Sequence, residues 1–302
     1  MNDQQRIEIA GIGLSSPDKV LFADQGVTKL DLARHYQAVA NRILPHMKNR
    51  LVSLVRCPDG RRGQCFFQRH GGKGFPQAVK RRVIREKSGG TDEYLYVSDL
   101  SGIVAAVQMN ALEFHIWGAR IDRLEQPDRL VFDLDPDESI GFAAVRDAAF
   151  ILRARLRELD LETVPLVTGG KGIHLVAPLQ RRAEWADVKA FARAFAEDLA
   201  HQAPEVFLAQ ASKAKRQGRI FIDWLRNERG ATAIAPYSTR ARKGAPVATP
   251  VSWDELSGLK GADGFHIGDM EKRLEAPDPW QESTGWRQSI TRTMLKAVGA
   301  DA

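Results

Sequence analysis

The stretch Leu130-Val131-Phe132-Asp133-Leu134-Asp135 restricts this chain more than any other. Its alternation is that of a β-strand, in which successive side chains point to opposite faces. Asp133 and Asp135 therefore share one face, and Phe132 and Leu134 take the other. Two carboxylates at neighbouring same-face positions repel each other unless a cation lies against them. A hard divalent ion such as Mg²⁺ or Mn²⁺ suits the pair, because such ions take oxygen ligands. A second acidic strand is expected at Ile220-Phe221-Ile222-Asp223-Trp224, where an unpaired carboxylate in an apolar run would be costly. Three strand-borne aspartates can hold two metals roughly 3.5–4 Å apart, one activating an attacking hydroxyl and the other stabilising a leaving pyrophosphate. The plainer alternative is that these are strand-end aspartates, capping loops or pairing with some of the 44 lysines and arginines.

Between the acidic strands lies Val167-Thr168-Gly169-Gly170-Lys171-Gly172-Ile173-His174-Leu175. Its glycines let the backbone approach a ligand and present N–H groups to anionic oxygens. Lys171 adds a point charge and Thr168 a hydroxyl. His174, at the start of the next strand, supplies a donor for a triphosphate oxygen. The spacing is not that of a P-loop, and a strand rather than a helix follows. Alone, the stretch reads as a glycine-rich hairpin; between two acidic strands it becomes a phosphate cradle.

The net charge of +6 favours a polyanionic partner, nucleic acid or nucleotide. With 43% hydrophobic and 27% charged residues, the chain is not expected to be mainly disordered. No apolar run approaches the roughly 20 residues of a membrane span. The opening MNDQQRIEIAG lacks a basic segment followed by an apolar block, so no secretory leader is expected. Cys57 and Cys65 fit no zinc or redox motif, and two reduced cytosolic thiols are expected.

No repeat or low-complexity linker interrupts the sequence, which reads as one continuous domain, 1–302. A helix is expected from Thr28, capped by Thr28 and Asp31, with Leu32, Tyr36, Val39, Ile43 and Leu44 at helical spacing. Further helices are expected at Ser101–Met109, Gly141–Leu159, Glu184–His201 and SWDELSG. Strands are expected at LVSLVRC, QCFFQRH, EYLYVSD, EFHIW, VPLVT, IHLVAPL, GRIFIDWL and TAIAPYS. Strands and helices mix without strict βαβ alternation, which makes the class α+β.

The segments FDLDP, TGGKGIHLVAPL and FIDWLRNERGATAIAPYSTRAR, in this order, resemble the archaeo-eukaryotic primase superfamily. Within it they look most like the polymerase domain of bacterial ATP-dependent DNA ligase D, from SSPDKVLF near the N-terminus to the tryptophan-containing tail. The resemblance implies a primase-like fold of central mixed or antiparallel sheets flanked by helices. Residues 1–110 would make DNA-end and template contacts and residues 111–302 would form the catalytic core. It also implies a template-directed nucleotidyltransferase that adds nucleotides, preferably ribonucleotides, to primer 3′ ends at gaps and broken ends in non-homologous end joining. Two Mn²⁺ or Mg²⁺ ions, NTP or dNTP substrates and 5′-phosphorylated DNA come with it. So do Ku and ligase or phosphoesterase modules as partners, and a bacterial cytoplasmic, nucleoid-associated location away from any membrane.

On the same resemblance, Asp133, Asp135 and Asp223 match the metal triad, with Asp223 placed to take the proton of the primer 3′-hydroxyl. Thr168, Gly169, Gly170, Lys171 and His174 match triphosphate contacts, as do His115 in LEFHIW and Arg240 in YSTRAR. Thr168 stands where the family often has serine, and the hydroxyl is kept. Lys19 in SSPDKV and Lys29 in VTKLD match contacts to a downstream 5′-phosphate, whose monoester charge exceeds that of a chain diester. Phe66 and Phe67 match an aromatic pair that stacks on the template. Because adjacent strand positions face opposite ways, one ring is expected in the core and the other free to stack. Arg216 is the preferred template contact in the basic group Lys213, Lys215, Arg216 and Arg219. A second group, Lys80, Arg81, Arg82 and Arg85, either lines a duplex path or is solvated charge.

Two rival readings are weaker. A haloacid-dehalogenase-type phosphotransferase also begins with D-x-D, but Pro136-Asp137-Glu138 follows Asp135 and His174 would have no role. A non-catalytic module that binds DNA ends would leave the three aspartates unexplained. No stretch resembles the lysine nucleophile motif of a ligase, so no sealing activity is expected.

Overall fold

The acidic strand needs partners along both edges before other side chains can reach its carboxylates, and the folded chain supplies them. The computed structural model describes residues 7–72, 74–86 and 89–300, apart from the side chain of Lys213; residues 1–6 of the opening segment, where no secretory leader is expected, lie outside this range. The chain divides into two compact units. The first is Met1–Ile116, Ile234–Ala248 and Phe265–Ala276, and the second is Trp117–Ala233, Thr249–Gly264 and Pro277–Ala302.

In the first unit, helix Lys29–Ala38 begins at the expected capping box. Thr28 Oγ1 accepts from Asp31 N at 3.2 Å, and Asp31 Oδ2 accepts from Thr28 N at 2.9 Å. The apolar pattern runs on through Ile43, but the helix does not: Val39 (φ −85°, ψ 5°) ends it, and a second helix, Ala40–Met47, follows. No glycine or proline marks the break, and Leu32, Tyr36, Val39 and Ile43 are all buried across it. Strand Arg50–Arg56 lies between Ala111–Trp117 and Thr91–Val97, and Lys80–Arg85 pairs with the far side of Thr91–Val97. In sequence, that last strand shows its charges and little else. Arg82 lies opposite Tyr94, and Ile84 is the strand's one buried residue.

Two expectations fail here. Cys57 and Cys65 are not reduced thiols but form a disulfide, with Cα atoms 4.3 Å apart. Strand Phe66–Gln68 pairs with Arg50–Arg56 so that Arg56 faces Phe66. The next pair outward is Cys57 and Cys65, a meeting made by strand register that spacing alone does not reveal. Nor does either phenylalanine join the core: Phe66 is 41% and Phe67 65% exposed. Their strand is three residues long and off the main path of the sheet, and both rings stay largely at the surface.

The second unit is built on a sheet in the order Phe207–Leu208, Ile220–Asp223, Arg129–Pro136, Ile173–Pro178, Val164–Val167, Thr249–Pro250. All its neighbours are antiparallel except the first two, which are parallel. The Asp133 strand is therefore interior. Its alternation is used as expected: Phe132 and Leu134 are fully buried, and the Phe132 ring meets Phe195 of helix Trp185–Gln202 at 5.1 Å between centroids. Each such side chain stabilises the fold by roughly 1.5–3 kcal/mol, which pins the strand with its carboxylates on the other face. Helix Phe142–Arg157 matches expectation within two residues at each end. Among the described residues no helix is long and apolar enough to cross a membrane.

Candidate active site

Strand order decides what Asp133 meets. In register, Asp133 lies opposite His174 on one side and Asp223 on the other. Directly opposed side chains come within about 5 Å, so two carboxylates face each other across the Asp133 and Asp223 strands. A guanidinium is shared between them. Arg226 Nη2 donates to Asp133 Oδ2 at 3.0 Å, and Arg226 Nε lies 3.0 Å from Asp223 Oδ2. On its other side, Asp133 Oδ1 is 3.4 Å from His174 Nε2, and both His174 and Asp223 are buried.

The chain reaches this arrangement through a short turn, Leu225–Asn227, immediately after the Asp223 strand. It carries Arg226 back over Asp223, three residues before it. The buried Asn227 ties the turn down: its Nδ2 donates to Val131 O at 2.7 Å, and its Oδ1 accepts from Val131 N at 2.7 Å. The turn is thus fastened to the Asp133 strand two residues from Asp133.

Charge states follow. Burial opposes the Asp133 charge, but His174 and Arg226 outweigh it and hold the carboxyl well below the usual range. Asp223 moves the other way. Burial first, and then the negative charge of Asp133, push it up against the pull of Arg226. Burial also works against the Arg226 charge, and the two carboxylates more than restore it. Asp135, farther along the same face, is only half-buried and is drawn instead to Arg216, whose guanidinium also lies over the Phe221 ring at 5.0 Å.

The glycine turn packs directly on the acidic strand. A Cβ on Gly172 would stand 2.4 Å from Leu134 O, so only glycine allows this approach. Gly169 has φ +66° and donates its N–H to Ala262 O at 2.9 Å. Thr168 is buried and closes the turn on itself, with its N 3.2 Å and its Oγ1 2.9 Å from Gly172 O. Gly170 is partly exposed, and Lys171 reaches outward to Glu138 at 3.5 Å.

In the first unit, His115 and Arg240 converge on a residue the sequence reading passed over, the buried Glu113. His115 Nε2 lies 2.7 Å and Arg240 Nε 3.1 Å from Glu113 Oε2, while Ala241 N donates to Oε1 at 2.7 Å. Burial resists the Glu113 charge, yet the hydrogen bond from His115 and the charge of Arg240 bring its carboxyl down to about 2. Phe67 meets the His115 ring edge-on at 5.3 Å, and Arg56 lies 5.5 Å over Phe66. Lys29 is buried, with Nζ 3.0 Å from Ser15 O and 3.3 Å from Gln108 O; Lys19 Nζ bonds Pro58 O. Burial and then the nearby Lys19 charge lower the Lys29 pKa. Of the other basic groups, Lys80 pairs with Asp99 at 4.0 Å and Arg81 with Glu93 at 3.4 Å.

Arg226, Asn227 and Glu113 are the residues sequence reasoning missed. Glu113 stands two positions before His115 on the same strand face, a signal that was available. Arg226 follows Asp223 by three residues, but its meaning depends on which strand Asp223 joins.

Among the described residues no three His, Cys, Asp or Glu side chains are grouped as a metal-holding cluster. The donor chemistry nevertheless fits a hard divalent ion. Two opposed carboxylates already share one cationic group, and a third lies along the same face, turned to a second guanidinium.

Residues 28–280 match the family model of the LigD primase-polymerase domain, and the chain belongs to that family. The multifunctional non-homologous end joining protein LigD of Pseudomonas aeruginosa is 39% identical over 298 residues, 97% of this chain and 35% of that protein. The bifunctional non-homologous end joining protein LigD of Bacillus subtilis is 31% identical over 262 residues, 86% of this chain and 42% of that protein. The chain thus spans less than half the length of these relatives. The polymerase domain of Mycobacterium tuberculosis ligase D, solved in complex with DNA, superposes with a TM-score of 0.83 at 29% identity, covering 91% of this chain and 98% of that one. The fold is the expected archaeo-eukaryotic primase-like one.

Proposed function

We propose that this chain is a template-directed nucleotidyltransferase that extends primer 3′ ends at gaps and broken ends of DNA, with ribonucleotides preferred. Family membership supports the reaction class and sets aside the phosphotransferase alternative. The observation that carries the reading is the facing of Asp133 and Asp223 across neighbouring strands, with the glycine turn seated on the same strand.

In the reaction, the primer 3′-oxygen bonds to the α-phosphorus of the nucleotide. The bond from that phosphorus to the bridging oxygen breaks, and pyrophosphate leaves with the electron pair. The hydroxyl proton passes to Asp223, the acid opposed to Asp133 across the neighbouring strand. Asp133, Asp135 and Asp223 would hold Mn²⁺ or Mg²⁺, which when bound supplies positive charge for the triphosphate and acidifies the attacking hydroxyl. Lys171, His174 and the backbone of Gly169 and Gly170 are assigned to the triphosphate; by the family resemblance His115 and Arg240 are nucleotide contacts. Thr168 joins them by exchanging its bond to Gly172 O for a phosphate oxygen.

Residues 1–110 are assigned the DNA-end contacts. Lys19 and Lys29, held by carbonyls and close enough to feel each other's charge, suit a phosphate monoester. With both rings exposed, Phe66 and Phe67 can each stack on a template base, worth about 1–3 kcal/mol per base. Arg216 is assigned to the template strand and would leave Asp135 to reach it. Ku and ligase or phosphoesterase modules are the partners this reading implies, in the bacterial cytoplasm at the nucleoid.

The test is a gapped duplex carrying a 5′-phosphate, with Mn²⁺ and a labelled ribonucleotide. Templated extension is expected, with Asp133→Ala reducing it at least about 10³-fold. Binding without extension under either metal would establish an end-binding module instead. Lys29→Ala should weaken binding to the 5′-phosphorylated gap far more than to its 5′-hydroxyl counterpart; equal losses would refute the assignment of the lysines.

A further inference from the structure

Arg226 is held from three directions. Its Nη2 and Nε lie 3.0 and 3.2 Å from Asp133 Oδ2, its Nε is 3.0 Å from Asp223 Oδ2, and its Nη1 donates to Thr232 O at 3.3 Å. The turn that carries it is tied to the Asp133 strand through Asn227, so the backbone beneath the guanidinium is fixed. Two carboxylates opposed across neighbouring strands repel, and a planar group with several donors between them removes that repulsion without any metal. It takes one oxygen of each acid, Asp133 Oδ2 and Asp223 Oδ2, and so holds the same two carboxylates that would hold a shared divalent ion. His174 takes the remaining Asp133 oxygen from the opposite side, at 3.4 Å, and does not reach between the acids. Arg216 engages the third acid and takes no part in the pair.

We infer that Arg226 is a built-in counter-ion that competes with the divalent metal for Asp133 and Asp223, holding the two acids together before metal arrives and setting how tightly metal binds. This deepens the proposed function and rests on its reading of Asp133 and Asp223 as metal ligands. The competition has a definite sign. Whether the guanidinium is displaced outright or stays nearby, its charge opposes a second cation, so removing it strengthens metal binding. Damage to the fold would weaken it.

The experiment titrates Mn²⁺ into the full chain, following free Mn²⁺ by electron paramagnetic resonance, and compares thermal unfolding in EDTA and in Mn²⁺. Arg226→Gln should bind Mn²⁺ at least about tenfold more tightly, the floor set by removing one unit charge a few ångströms from a divalent ion at a water-like dielectric near 80. It should also unfold at a lower temperature than the parent in EDTA and gain more from added Mn²⁺. Arg226→Lys keeps the charge but not the fork, so its affinity should fall between the two; it serves also if the Gln variant does not fold without metal. Mn²⁺ affinity no tighter than the parent's in the folded variants overturns the inference. Asp133→Asn separates the two levels. If it leaves parental Mn²⁺ binding intact, the metal-ligand reading fails. If it abolishes binding while Arg226→Gln changes nothing, only the role of Arg226 fails.

Discussion

Glu113 in the first unit and Asp133 in the second are both carboxylates met by one imidazole and one guanidinium. Glu113 has His115 and Arg240 on one oxygen and the Ala241 N–H on the other, and the residue opposite it on the neighbouring strand is Val55. Asp133 has His174 on one oxygen and Arg226 on the other, but it also faces Asp223. Both carboxyls are held low by these neighbours, which overcome burial. The difference lies in the fourth group. Glu113 closes its network and fixes the orientation of two side chains assigned to the nucleotide. Asp133 shares its arginine with a second acid, Asp223, which burial and the Asp133 charge push up. A backbone N–H makes a positioning device, and an opposed carboxylate makes a reactive one.

The contrast can be broken most severely at the opposed acid. Asp223→Ala should lower single-turnover nucleotide addition by about 10³-fold or more, as expected for loss of a general base and a metal ligand together, while nucleotide binding stays within a few-fold of the parent. Turnover near the parent level would show that the facing acid is not the reactive partner. Glu113→Ala leaves an imidazole and a guanidinium around a vanished anion, and should cost about 3 kcal/mol in urea unfolding. It should also raise the nucleotide KM more than it lowers kcat; a change in kcat alone would dissolve the distinction drawn between the two clusters. Gly172→Ala tests whether the glycine turn belongs with Asp133. The added methyl would sit 2.4 Å from Leu134 O, and a cost of about 1–3 kcal/mol with reduced addition is expected. A variant as stable and active as the parent would detach the turn from the strand.

The smallest effect concerns His35, a buried imidazole whose Nε2 lies 3.1 Å from a carbonyl, Tyr237 O, rather than from a carboxylate. Burial lowers its pKa from 6.5 to about 4. The unfolded chain therefore takes up the proton first as pH falls. The stability this residue contributes is complete above its unfolded pKa and lost as pH falls through its folded one. Between neutrality and a pH about one unit below the unfolded value, roughly 1 kcal/mol should disappear from the unfolding free energy. His35→Gln should remove that step. Glu113 acts later: its contribution is present above 4.5 and is lost only as pH falls toward 2. An unfolding profile with no inflection between 6.5 and 4 would show that His35 is not held neutral by burial.

Much of this molecule could be read from local pattern. The capping box at Thr28, helix Phe142–Arg157, the strand pair around the glycine turn and the shared face of Asp133 and Asp135 all depend on residues within a few positions of one another. Failures came where a distant partner or a missing one decided the outcome. The break at Val39 leaves the apolar period undisturbed. Phe66 and Phe67 are both exposed, on a short strand off the main path of the sheet. Lys80–Arg85 is a strand because Thr91–Val97 pairs with it, whatever its charge suggests.

By itself, then, the order of residues determined which side chains share a face, because the pleat of a strand is a property of consecutive backbone units. It also determined that Gly172 could lie close to another chain segment, since only glycine lacks the atom that would prevent it. Strand order in the sheet was decided by tertiary structure alone. Placing His174 on one side of Asp133 and Asp223 on the other, and so bringing Arg226 between two acids, depends on contacts between segments far apart in sequence. Their relative positions are set by how the apolar faces of the whole sheet pack, which no local window contains.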